Sequence, residues 1–180
     1  MGNSWSSAVV AAASVAVAAL IMAARPRDPT FNVISIKLTS LKLKFPILDA
    51  EANLTVQVTN PNVVPIHYSG TTMSIFYGGT LVGSAPIDAG SQAARSSQEL
   101  QLTARLSGMK LAKNGKRFMS DVSKREMVME STVDIEGAAK VLWWDHKFKV
   151  HVDSHVTVDP VFLDVIDQDN KSQLDVFVGS

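Results

Sequence analysis

From residue 31 onward, apolar and polar side chains alternate along the chain with a period of two. Such alternation marks a half-buried strand, because successive strand side chains point to opposite faces. Ile34, Ile36 and Leu38 alternate with Ser35, Lys37 and Thr39, and then the phase flips, with Leu41, Leu43 and Phe45 against Lys42 and Lys44. A one-residue phase change turns every side chain to the other face, so it predicts a bulge or bend near Thr39-Ser40. Leu54, Val56 and Val58 form the next run, followed by Met73, Ile75 and Tyr77, which Gly78-Gly79 turns back into Thr80 to Ala85. A glycine pair between two such runs is a hairpin signal.

Leu100, Leu102, Ala104 and Leu106 alternate with Glu99, Gln101, Thr103 and Arg105, and Met127, Met129, Val133 and Ile135 continue the pattern. The longest run has Phe148, Val150, Val152, Val156 and Val158 on one face, and Val161 to Val165 and Leu174 to Val178 are shorter apolar pieces. Lys113 to Lys124 lacks alternation and is expected to hold a short helix near Phe118 and Met119. Seven or eight half-buried strands joined by turns make a sandwich or a barrel. The expectation is all-β, an immunoglobulin/fibronectin-III-like β-sandwich over residues 31–180. Its inward positions are Leu54, Val56, Val58, Leu100, Leu102, Val133, Ile135, Phe148, Val150 and Val152.

The N-terminal segment has a different period. Residues 1–7 form a short tail, and Ala8 to Ala24 is a run of 17 residues, nine of them alanine, with Ser14 its only polar member. A helix of this length spans roughly 25 Å, short of a ~30 Å hydrocarbon core until Trp5, Ser6 and Ser7 are added. A cleaved signal peptide would need a basic start, and no charge precedes Arg25. A buried globular helix would need a polar stripe. Residues 8–24 are therefore expected to be a transmembrane anchor, and Pro26 and Pro29 make residues 25–30 a stiff linker. Met1-Gly2-Asn3-Ser4-Trp5-Ser6 fits the M-G-x-x-x-[ST] pattern, which makes Gly2 a candidate for myristoylation.

Composition narrows the chemistry. The 180 residues contain no cysteine, which excludes disulfides, thiolate metal sites and a cysteine nucleophile. Formal net charge is zero, which argues against nucleic acid as a partner. The charges are nevertheless segregated, with seven basic residues against Asp121 between Arg105 and Arg125, and six aspartates against Lys171 between Asp153 and Asp175. A solvated basic loop facing an acidic one is the plain reading, and contact with anionic lipid is the other.

The stretch Leu54-Thr-Val-Gln-Val-Thr-Asn60-Pro61-Asn62, then His67-Tyr68, Ile75-Phe76-Tyr77-Gly78-Gly79, Leu81-Val82-Gly83 and Pro86-Ile87 resembles the late embryogenesis abundant type 2 domain of plant hairpin-induced-like membrane proteins. Asp134-Ile-Glu-Gly137 and the Phe148-Lys-Val strand are similar to its later portion. The resemblance implies a non-enzymatic single-pass membrane protein at the plasma membrane. Its N-terminus would be cytosolic, and its domain would act as an interaction module in water-deficit or defence responses. Arg25 and Arg27 oppose that topology by the positive-inside tendency. The partners expected are the lipid bilayer and either other proteins or an apolar ligand; the alternative function is a lipid-binding or apolar-ligand-binding module at a membrane. Independently of the family, Pro61 ends a strand, and Asn60 and Asn62 suit an Asx turn.

No catalytic, cofactor or metal residues are expected. His151-x-Asp153-x-His155 lines one strand face, but its histidines would lie roughly 13 Å apart. Asp167-Gln-Asp169-Asn170 resembles the start of a calcium loop without the glycine and glutamate that complete one. No Gly-x-Ser-x-Gly elbow or phosphate-binding glycine loop occurs. Asn53-Leu-Thr55 and Asn170-Lys-Ser172 are glycosylation sequons, with Asn170 expected in a polar loop and so the better acceptor. Trp143-Trp144 follows Val141-Leu142 and is read as core or as an interfacial pair.

Overall fold

A computed structural model describes residue 27 and residues 29–44, 47–141, 144–162 and 164–177. It contains ten strands: β1 (Thr30–Lys44), β2 (Ile47–Asn60), β3 (Ile66–Tyr68), β4 (Thr71–Tyr77), β5 (Thr80–Ile87), β6 (Gly90–Gln92), β7 (Ser96–Ser107), β8 (Met127–Val141), β9 (Trp144–Val158) and β10 (Val165–Phe177). Two short helices, α1 (Gly108–Ala112) and α2 (Gly115–Lys124), link β7 to β8.

All ten strands belong to one antiparallel sheet. Hydrogen bonding runs β1–β2–β7–β5–β4–β8–β9–β10, and β3, flanked by β6, pairs with the later part of β8. The twist of a long sheet curls it, and β10 returns beside β1, so that the wall is nearly closed around one interior. The all-β expectation holds, with more strands than the seven or eight expected and hydrogen bonds that run through a single sheet.

The ten positions expected to face inward all line this interior. Ile34 departs from the expectation. A register shift between Val33 and Ser35 reverses the phase, so Val33 and Ile36 point inward and Ile34 is 48% exposed. The second shift, between Leu38 and Ser40, falls where the alternation predicts it. Gly78 and Gly79 turn β4 into β5 with φ of 55° and 73°, the pair of positive values a tight hairpin needs. The helix expected near Phe118 is α2, and it ends on Arg125 with φ of 59°, where Arg125 N–H donates to Val122 O at 3.1 Å.

β10 is the largest departure. Residues 165–177 carry few apolar side chains at alternate positions, yet they form a strand paired along its whole length with β9. Asn170, expected in a loop, lies in its middle. The calcium-like Asp167 to Asn170 stretch is likewise strand, opposite Thr157 to Ser154.

Among the described residues, no helix is long and apolar enough to cross a membrane. That finding corrects the expectation of a single-pass membrane protein. The segment on which it rested, residues 8–24, lies outside the described residues, as do Gly2 and Trp143.

Candidate functional site

The interior of the sheet holds a cavity of about 210 Å³. Inward-facing residues of every strand contribute to its wall, among them Phe31, Leu54, Leu102, Met129, Val133 and Phe148. Apolar side chains dominate because each inward position is the buried half of a period-two pattern. Glu130 is the one charged side chain among the described lining residues, and it stands on the outward parity in register with His155.

Uncharged polar side chains line the wall at two places: Gln92 of β6, whose Nε2 donates to Val58 O at 2.8 Å and Ser96 O at 2.9 Å, and one level of β8, β9 and β10. Ser131 of β8, Ser154 of β9 and Asn170 of β10 are register partners across three adjacent strands and all line the cavity. The Ser154 hydroxyl donates to Asn170 Oδ1, and Asn170 Nδ2 donates to the carbonyl of Phe31. One turn of the pleat away, Gln168 Oε1 accepts from Val33 N–H at 2.9 Å, and its Nε2 reaches Phe31 O at 3.4 Å. Among the described residues, β1 has a backbone ladder only to β2 and β10 only to β9. The seam between β1 and β10 is thus bridged by two side-chain amides in place of a ladder.

The opposite wall is locked where α2 lies over the β4–β5 hairpin. Tyr77 is fully buried, and its hydroxyl donates to Asp121 Oδ2 at 2.6 Å. Phe118 meets the ring edge-on at 6.4 Å, and the Arg117 guanidinium sits 5.3 Å from its centroid. Asn114 Nδ2 donates to Tyr77 O and Thr80 Oγ1, both at 3.1 Å. Burial, reinforced by the Asp121 carboxylate, pushes the Tyr77 phenol up to about 12. These contacts pin the helices to the sheet; Tyr77 and Asp121 lie 44 positions apart, so no local pattern in the sequence marks them as partners.

Asn60, Pro61 and Asn62 form the turn expected of them. Asn60 is fully buried; its Nδ2 donates to Val64 O and Ala93 O at 3.1 Å, and its Oδ1 accepts from Asn62 N–H at 3.0 Å. Asn62 in turn clasps the Arg27 backbone, accepting its N–H at 2.7 Å and donating to its carbonyl at 3.0 Å. The motif therefore moors the linker to the end of the sheet.

The two sequons fall on strands. Asn53 sits on the outer face of β2, where its Oδ1 accepts from Thr103 Oγ1 at 3.2 Å. Asn170 lies in a strand of the wall and not in the loop expected of it, and its amide nitrogen, the atom a glycan would occupy, donates one proton to Phe31 O at the seam. On the outer face of β8 and β9, His151 stands between Asp134 at 2.7 Å and Asp153 at 3.3 Å, and Lys149 reaches Asp134 at 3.3 Å. The hydrogen bond with Asp134 raises the imidazole and lowers the carboxyl. His155 is in register with Glu130 and Asp169, not drawn into that group. No cluster of three His, Asp or Glu side chains suited to a metal occurs among the described residues.

The model of the late embryogenesis abundant protein family matches residues 55–158. The chain belongs to that family. The matched span runs from the middle of β2 to the end of β9, so it takes in most of the cavity wall and the whole Tyr77 corner. No curated protein matches the chain. Among solved structures, a protein from Archaeoglobus fulgidus is similar at 14% identity, over 81% of this chain and 98% of that one, with a TM-score of 0.37.

Proposed function

We propose that this late embryogenesis abundant domain is a non-enzymatic binding module that holds an apolar small molecule inside its curled sheet, in a stress-related role. The observation that carries the reading is the cavity of about 210 Å³, walled by Val, Leu, Ile, Met and Phe side chains. An interior that packed to ordinary density would leave no such space, and concave apolar sites with a few convergent polar groups are the usual form of a ligand pocket.

The test is mass spectrometry of an organic extract of the purified full chain, together with uptake of an environment-sensitive apolar dye. The expected result is a co-purified lipid or dye uptake saturating near one molecule per chain. Ala104→Phe, which fills space at a wall position only 1% exposed, should abolish both while the chain keeps its strand spectrum. A chain that carries no lipid and takes up no dye would overturn the reading.

A further inference from the structure

The wall of the cavity also constrains the charge of what it holds. We infer that the ligand is an amphipathic molecule with one uncharged hydrogen-bonding head, such as a fatty alcohol or acylglycerol, seated head-first at the β1–β10 seam against Ser131, Ser154, Gln168 and Asn170. This rests on the reading of the interior as a ligand cavity.

The position of the head follows from where polarity is allowed. Elsewhere along β8 and β9, the inward positions that line the cavity are Met127, Met129, Val133, Ile135, Phe148, Val150, Val152, Val156 and Val158. Only at the Ser131–Ser154–Asn170 level do three neighbouring strands turn polar together. Burying polar groups costs free energy unless they are hydrogen-bonded, and this row retains spare capacity. An amide nitrogen has two protons, and Asn170 Nδ2 directs one to Phe31 O. Gln168 Nε2 has only the 3.4 Å contact. Both serine oxygens have lone pairs to accept a hydroxyl proton. An alcohol, ester or ketone can therefore be met by donors and acceptors at one level.

An anionic head is excluded as firmly. No Lys, Arg or His lines the cavity among the described residues. A carboxylate or phosphate drawn inside would lose its hydration without gaining a cation, so it would bind only after protonation. The seam also offers such a molecule a way in that breaks no backbone ladder. β1 and β10 are joined there by side-chain amides that rotate without breaking a ladder, whereas β2 and β7 are zipped by twelve register pairs.

The experiment measures displacement of a bound apolar dye from the full chain, purified without detergent, by a medium-chain fatty alcohol and by the fatty carboxylate of equal length. At neutral pH the alcohol should be the stronger competitor by roughly tenfold or more. The gap should close at acid pH, where the carboxylate is protonated. Ser131→Ala should weaken the alcohol and leave the protein's melting temperature nearly unchanged. Equal or tighter binding of the carboxylate at neutral pH would overturn the neutral-head inference and leave the cavity reading standing. A dye that never binds would overturn the cavity reading itself.

Discussion

At the Tyr77 corner, the buried hydroxyl, the hairpin carbonyl and the Asn114 amide each meet a partner on a different element, and an aromatic ring and a guanidinium pack over the join. At the β1–β10 seam, the backbone of Phe31 and Val33 is met by flexible amides reaching from the next strand. Both regions satisfy their polar groups, and the described residues leave no buried side-chain nitrogen or oxygen without a partner. The difference lies in what must break to open them. Opening the corner expels a buried phenol from its pocket; opening the seam breaks the hydrogen bonds of Gln168 and Asn170 and disturbs the packing of Phe31 and Val33, with the ladders of β1–β2 and β9–β10 left whole. A curled sheet can thus be rigid on one side and passable on the other.

The broadest way to break this comparison is to destroy the wall that both regions share. Val150 is 1% exposed, and Val150→Asp buries a charge with no cation nearby. A loss of about 5 kcal/mol is expected, enough to abolish a cooperative thermal transition. A well-folded variant would show that the interior is wetter than described.

Tyr77→Phe comes next. It removes the donor to Asp121 and should cost about 2 kcal/mol, the worth of a buried hydrogen bond to a carboxylate. The same residue predicts an alkaline limit. Its folded pKa, about 12, exceeds the ordinary value of 10.0, so its stabilising contribution is complete below pH 10.0 and is lost as pH rises from there through about 12. Denaturant melts across that range should fall for the native chain and much less for Tyr77→Phe.

Gln168→Leu sharpens the comparison at the seam. It leaves Val33 N–H without its acceptor, and the expected loss is about 1 kcal/mol, half that at the corner. Hydrogen exchange at Phe31 and Val33 should accelerate while Tyr77 and its neighbours keep their protection. Equal acceleration at both places would mean that corner and seam open together.

The smallest effect belongs to the outer face. His151 is raised above 6.5 by Asp134, so its own contribution is complete below pH 6.5, as long as Asp134 stays ionised, and fades as pH rises through the folded value. Because His151 is half exposed, the change is slight. His151→Gln should flatten the shallow decline in melting temperature above neutrality and leave the corner and seam unaffected.

The apolar alternation was readable along β2, β4, β7, β8 and β9 because each of these strands has one face against the interior and one against solvent. The bulge at Leu38/Ser40, the Gly78-Gly79 hairpin and the Asn60-Pro61-Asn62 turn were readable for a related reason, since phase flips and turn residues act over a few positions. The three-residue strands β3 and β6 are too short to show a period, and α1 merges with the end of the β7 pattern.

β10 escaped for the opposite reason. Its inward positions Gln168, Asn170 and Ser172 are polar, so a strand that lines the cavity looks in sequence like a loop. The period of hydrophobicity by itself determined that this chain is all-β and which faces of most strands point inward. Only the tertiary structure decided that the strands join in one nearly closed sheet, that Tyr77 meets Asp121, and that a polar row interrupts the apolar wall. Period-two burial is a property of each strand alone, whereas closure depends on register between strands far apart in the chain, where an inward amide is stable only because another strand's backbone comes to meet it.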